Sequence, residues 1–215
     1  TPEMLDSFED AEVSYKISEA PTEISNMIQE LYDNNLLQKE RCTYNLWSPS
    51  PNKIENLRKI LEYSCEKVTR IELFKYIGDE FNLKVSSIES MMPFLKASGL
   101  LEEVGRNIYI TSSVAKEWCE IGVDIDFIRI LHCHYRFVGE MILFAENDVT
   151  RNEIYQEAKE YGLNNEKARW IAGFLVEAGL LEEPQYLHLK ATTFGMEFAN
   201  TLPLTDKNVY MEEIN

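Results

Sequence analysis

Asn164, Asn165, Lys167 and Arg169 crowd the start of one amphipathic segment. These side chains suit base edges, because an asparagine amide can pair with adenine and an arginine or lysine can reach the acceptors of guanine. Glu166 and Glu177 share the outward face and oppose phosphates, and Trp170 beside them also suits burial against a neighbouring domain. A second group, Ser86, Ser87 and Ser90, permits close approach to bases but supplies little attraction, so a solvated or packed face describes it equally well. Arg106 and Asn107 follow Gly105, where they can meet a minor groove or a phosphate, or simply form a turn. Trp47, Lys53, Arg58 and Lys59 make a fourth group, readable as a phosphate clamp or as the alternating charge of a solvated helix.

Catalytic chemistry finds no such cluster. His132-Cys133-His134 places its histidines at i and i+2, which do not share a helix face, so a structural role is expected and no metal site. There is no nucleophile elbow, phosphate loop or dinucleotide fingerprint, and no cofactor is expected. Cys42, Cys65, Cys119 and Cys133 have neither paired spacing nor a disulfide framework, which points to a reducing cytoplasm. The longest apolar stretch, Phe127 to Ala145, is broken by Arg129, Arg136 and Glu140, so no membrane span is expected. No basic segment leads into an apolar run, so no signal peptide is expected either.

The elements that position these groups come from a duplication offset by 80 to 81 residues. Thr69-Arg70-Ile71-Glu72-Leu73-Phe74 recurs as Thr150-Arg151-Asn152-Glu153-Ile154-Tyr155, each a capping box that opens a helix. Ile88, Met91, Met92 and Leu95 in one copy, and Ala168, Ile171, Ala172 and Leu175 in the other, share the i, i+3, i+4, i+7 spacing of a buried helical stripe. Both helices run into Gly-Leu-Leu-Glu-Glu at Gly99 and Gly179, each glycine suited to a left-handed cap. Extended patterns follow, with tips at Gly105-Arg106-Asn107 and Pro184-Gln185-Tyr186. Ile54, Leu57 and Leu61 predict an earlier helix for the first copy, and Tyr135 to Ala145 one for the second. A separate amphipathic helix is predicted from Thr22 to Asp33, ending at Asn34-Asn35.

Charge is distributed unevenly. The formal net charge of −16 disfavours nonspecific polyanion binding by the whole chain. Residues 1–48 carry 10 acids against 3 bases, whereas 49–122 carry 11 against 10, so the middle block is nearly neutral.

The segment Trp47-Ser48-Pro49-Ser50-Pro51-Asn52-Lys53-Ile54-Glu55-Asn56-Leu57-Arg58-Lys59-Ile60, leading into the tandem, resembles the start of the recognition region of FokI-like type IIS restriction endonucleases. The resemblance of motif and architecture covers Trp47 to Leu204 and implies sequence-specific binding of double-stranded DNA, with cleavage by a separate nuclease domain. The acidic first 46 residues depart from that pattern, and Glu157-Ala158-Lys159, an acid-x-Lys candidate, falls on a predicted helix instead of a strand.

The expected fold is mainly α with small β-hairpin wings. It comprises two tandem winged-helix (helix-turn-helix) domains at 47–122 and 123–204, an N-terminal helical extension at 1–46, and a polar tail at 205–215. The expected function is a cytoplasmic DNA-recognition module without a catalytic site. DNA contacts are expected from Trp47, Lys53, Arg58, Ser86, Ser87, Ser90, Arg106, Asn107, Asn164, Asn165, Lys167 and Arg169. The competing reading is an acidic tandem winged-helix scaffold for protein partners, or a transcriptional regulator, with affinity drawn from apolar burial.

Overall fold

The computed structural model describes residues 20–47 and 53–214. Among them the chain is mainly helical, with two antiparallel sheets of three strands each. Helices α1 (Thr22–Asp33) and α2 (Asn35–Glu40) come first. The first repeat follows as α3 (Lys53–Tyr63), β1 (Val68–Thr69), α4 (Arg70–Phe81), α5 (Val85–Ala97), β2 (Leu101–Gly105), β3 (Ile108–Thr111) and α6 (Ser113–Ile121). A connecting helix, α7 (Asp124–His134), leads into the second: α8 (Gly139–Phe144), β4 (Val149–Thr150), α9 (Arg151–Glu160), α10 (Asn165–Glu177), β5 (Leu181–Glu182), β6 (His188–Ala191) and α11 (Thr193–Ala199). A final helix, α12, spans Asn208–Ile214.

In each sheet the short first strand pairs with the last, giving the orders β1-β3-β2 and β4-β6-β5. Val68 faces Tyr109 in one, and Val149 faces Leu189 in the other. Matching hydrogen bonds fasten both repeats. The Thr111 amide donates to the Ser64 carbonyl (2.8 Å), and that of Ala191 to Ala145 (2.7 Å). The Ser112 hydroxyl donates to the Gly99 carbonyl (2.6 Å), and that of Thr192 to Gly179 (2.7 Å). Both capping boxes form, with Thr69 and Thr150 accepting from the amides of Glu72 and Glu153. The paired donors and acceptors satisfy helix ends that would otherwise be left without partners.

The repeats share one contiguous apolar core. Phe94 and Phe174 stack with ring centroids 6.5 Å apart, Phe174 meets Phe127 at 5.1 Å, and Phe127 meets Trp118 at 5.4 Å. Helix α7 lies inside this core, with every residue from Ile125 to His132 buried. Its two buried charges compensate each other, Arg129 donating to Asp126 at 2.5 Å.

The described part of the N-terminal extension, from residue 20, is docked. Helix α1 packs on α6 and α7, burying Ile24 and Leu31. Its first turn donates to Glu117 of α6, from the amides of Glu23 (2.9 Å) and Ile24 (3.2 Å), a carboxylate placed where the helix dipole favours it. Arg41, 1% exposed, then inserts into the second repeat and binds both oxygens of Glu140, at 2.9 and 3.1 Å. The segment expected as a polar tail closes over the same spot. Tyr210 of α12 is fully buried, its hydroxyl donates to the Gln38 carbonyl (2.5 Å), and the Arg136 guanidinium lies 4.1 Å from its ring. One buried aromatic within a short polar stretch leaves no periodicity to read, which is why sequence pattern misses this helix.

Candidate nucleic-acid interface

The outward, N-terminal face of α5 is open. Lys84 stands at its cap, and Val85, Ser86, Glu89, Ser90 and Pro93 are exposed, while Ile88, Met91, Met92 and Leu95 hold the opposite face in the core. Ser87 is half-buried, and Ser90 is exposed with its hydroxyl donating back to the Ser86 carbonyl at 3.0 Å. Beside this helix stands the β2–β3 hairpin. Its tip puts Arg106 in solvent and turns on Asn107 in a left-handed conformation (φ 58°), one that asparagine tolerates better than most residues. The Asn107 carbonyl accepts from the Arg70 amide at 2.8 Å, so the hairpin tip is tied to the start of α4. The Asn107 amide and the Lys96 ammonium hold the Glu103 carboxyl below the usual range, keeping it charged beneath the hairpin's tip.

The second repeat is built on the same plan with different side chains. Its hairpin tip is tied by the Leu187 carbonyl, which accepts from the Arg151 amide at 2.9 Å, and Tyr186 beside it is 87% exposed. Between α9, α10 and the hairpin runs a groove of about 690 Å³ lined by Arg151, Tyr155, Arg169, Gly173 and Glu183. Gly173 leaves the wall low where Pro93 stands in the first repeat. Arg151 is engaged with Glu183 at 2.5 Å, whereas Arg169 and Asn165 are exposed.

The residues singled out from sequence do not form one surface. Ser86, Ser90, Arg106 and Asn107 gather around α5, and Asn165 and Arg169 lie on the open side of α10. Asn164 is the α10 cap, accepting from the Lys167 amide at 2.9 Å. The Lys167 ammonium donates to the Thr43 carbonyl at 2.6 Å, which ties it to the N-terminal segment and away from a groove. Arg58 donates to the carbonyls of Trp118 (3.0 Å), Cys119 (3.2 Å) and Gly122 (3.3 Å) and stacks on the Trp118 ring, so it caps the end of α6. Trp47 is half-buried against the core. The side chain of Lys53 and residues 48–52 lie outside the described residues. His132 and His134 bind the carbonyls of Pro203 (2.8 Å) and Ile130 (2.7 Å).

Sequence reasoning passed over Lys84, and placed Tyr186 at a hairpin tip without giving it a contact. Their signal is positional: one cap residue before the second helix of the pair, and one residue before the hairpin's left-handed turn. On the open faces of α5 and α10 and at the first hairpin tip, Lys84, Arg106 and Arg169 are exposed cations without an ion pair, while Arg70 is engaged with Glu89 (3.5 Å) and Lys96 with Glu103 (3.2 Å). No family model, curated protein or solved structure matches this chain.

Proposed function

We propose that the chain is a pair of winged-helix units that recognises duplex DNA, as the resemblance to FokI-like recognition regions implies. The order helix, strand, two helices and hairpin, with the first strand added beside the last, supports the winged-helix reading of each repeat. The observation that carries the functional reading is the uncovered N-terminal face of α5 with Lys84 and Arg106 flanking it. In a helix-turn-helix unit that face enters the major groove. Ser86 and Ser90 then reach base edges at short range, while Lys84 and Arg106 meet the backbone or the adjacent minor groove. On α10, Arg169 and Asn165 supply the guanine and adenine contacts. Arg58 and Lys167 serve the fold in this reading, and cleavage chemistry belongs to no group identified in the chain.

A second reading, a scaffold for a protein partner, draws on the net charge of −16 and on the carboxylates that hold Arg70, Lys96 and Arg151. The two separate in a binding titration of a randomised duplex pool at low and near-physiological salt. DNA reading predicts a salt slope of about −2, from the two cations placed against the backbone, Lys84 and Arg106, and almost none in Lys84→Ala/Arg106→Ala. Retention of no duplex at either salt would leave the scaffold.

A further inference from the structure

The contacts between the repeats are reciprocal. Ile54, at the start of the first repeat, donates its amide to Glu177 at the C-terminal end of α10 (3.1 Å). The residue at the matching position of the second repeat, 81 further on, is Tyr135. It meets the C-terminal part of α5: its ring lies 6.1 Å from Phe94, and a Cβ placed on Gly99 would come within 2.7 Å of the neighbouring His134 ring. The end of α5 therefore touches the start of the second repeat, and the end of α10 touches the start of the first. A tandem stacked by translation makes only one of these contacts. Equivalent patches that contact each other in both directions are the mark of a two-fold relation. Phe94 and Phe174, equivalent residues 80 apart, stack on each other with planes 20° apart, which puts the axis beside them.

We infer that the two units are related by an approximate two-fold axis at the Phe94–Phe174 pair, and that their partner is a duplex carrying two unlike half-sites in inverted orientation. This rests on the DNA reading proposed above. The sugar-phosphate backbone of a duplex has its own dyads, and paired helix-turn-helix units related by two-fold symmetry align with one of them. Ser86 lies eight residues before Phe94, about 12 Å along the helix. The reading turns of α5 and α10 therefore lie no more than roughly 40 Å apart, close to one turn of duplex. The half-sites differ because the side chains differ: Lys84, Ser86, Ser90 and Arg106 on one side face Asn164, Glu166, Trp170 and Tyr186 at the matching positions of the other.

The test is selection from a randomised duplex pool by the full chain, followed by titration of the enriched site with base pairs inserted between its two elements. The expected result is two different elements in inverted orientation at one spacing, with binding weakened at least about tenfold by a three-base-pair insertion. Arg169→Ala relaxes preference in one element and Ser90→Glu in the other. A single continuous element, elements in direct orientation, or tolerance of the insertion overturns the two-fold assignment while leaving DNA reading intact. Enrichment of no duplex overturns the DNA reading and this inference with it.

Discussion

Replacing Glu140 by alanine tests whether the N-terminal segment belongs to the folded body. Arg41 reaches Glu140 from outside the repeats, and its other contacts are neutral: the carbonyls of His132 (3.2 Å) and Tyr135 (3.1 Å), the His132 Nδ1 (3.2 Å) and the Tyr210 hydroxyl (3.3 Å). Glu140→Ala leaves a guanidinium with 0% side-chain exposure and no opposing charge beside it. Breaking a buried pair from one side costs roughly 3–5 kcal/mol. For a chain of this length that corresponds to a fall in melting temperature of roughly 6–20 °C. Arg41→Met/Glu140→Leu removes both charges, and recovery of most of that loss is expected, because an apolar pair escapes the desolvation cost. Thermal and urea unfolding followed by circular dichroism would read both variants. A loss below about 1 kcal/mol for Glu140→Ala, or a double variant no better than the single one, would refute this account of how residues 41, 140 and 210 are held together.

Stability should also depend on His132. Burial, with Arg41 alongside, pulls its pKa down to about 4. The Gly139 amide donates to Nδ1 (3.1 Å), leaving no room there for a proton. The unfolded chain takes its proton near pH 6.5 and the folded chain near pH 4, so stability is complete above that window and falls by roughly 3 kcal/mol through it. Urea unfolding at pH 7, 5.5 and 4 should find the advantage of wild type over His132→Asn shrinking as pH falls, and a constant gap would contradict it. Gly99→Ala should destabilise more than Gly179→Ala: both have positive φ (71° and 76°), but only at Gly99 does a new Cβ meet His134. The second variant should cost about 1–2 kcal/mol, and equal losses in chemical denaturation would argue against the close approach. Leu187 occupies a left-handed conformation (φ 61°) where the first repeat has Asn107. Leu187→Asn should therefore gain about 0.5–1 kcal/mol, and a loss would mean that the half-exposed leucine makes contacts worth more than the strain.

Sequence pattern reached the paired helices and hairpins because those are announced locally, whereas the helix expected over Tyr135 to Ala145 is confined to Gly139–Phe144, and α6, α7 and α11 were not predicted. Thr69-x-x-Glu72 and Thr150-x-x-Glu153 open helices at those residues, and the helix predicted from Thr22 to Asp33 has those bounds. The strands β1 and β4 are two residues long, too short for an alternating pattern, and are seen only through their pairing with β3 and β6. The site was less readable for a different reason. A cation's partner depends on tertiary approach, and nothing local says that Lys167 meets Thr43, 124 residues earlier, or that Arg58 turns to the end of α6. The same holds for Tyr210, whose socket is built by Gln38, Arg41 and Arg136.

The most direct measurement of the central proposal is amide hydrogen exchange of the chain with and without an enriched duplex. DNA reading predicts slowed exchange at the first turns of α5, around Ser86 to Ser90, and at the hairpin tip around Arg106, with a matching effect near Asn165 to Arg169. Unchanged exchange at both helices in the presence of saturating duplex would contradict it.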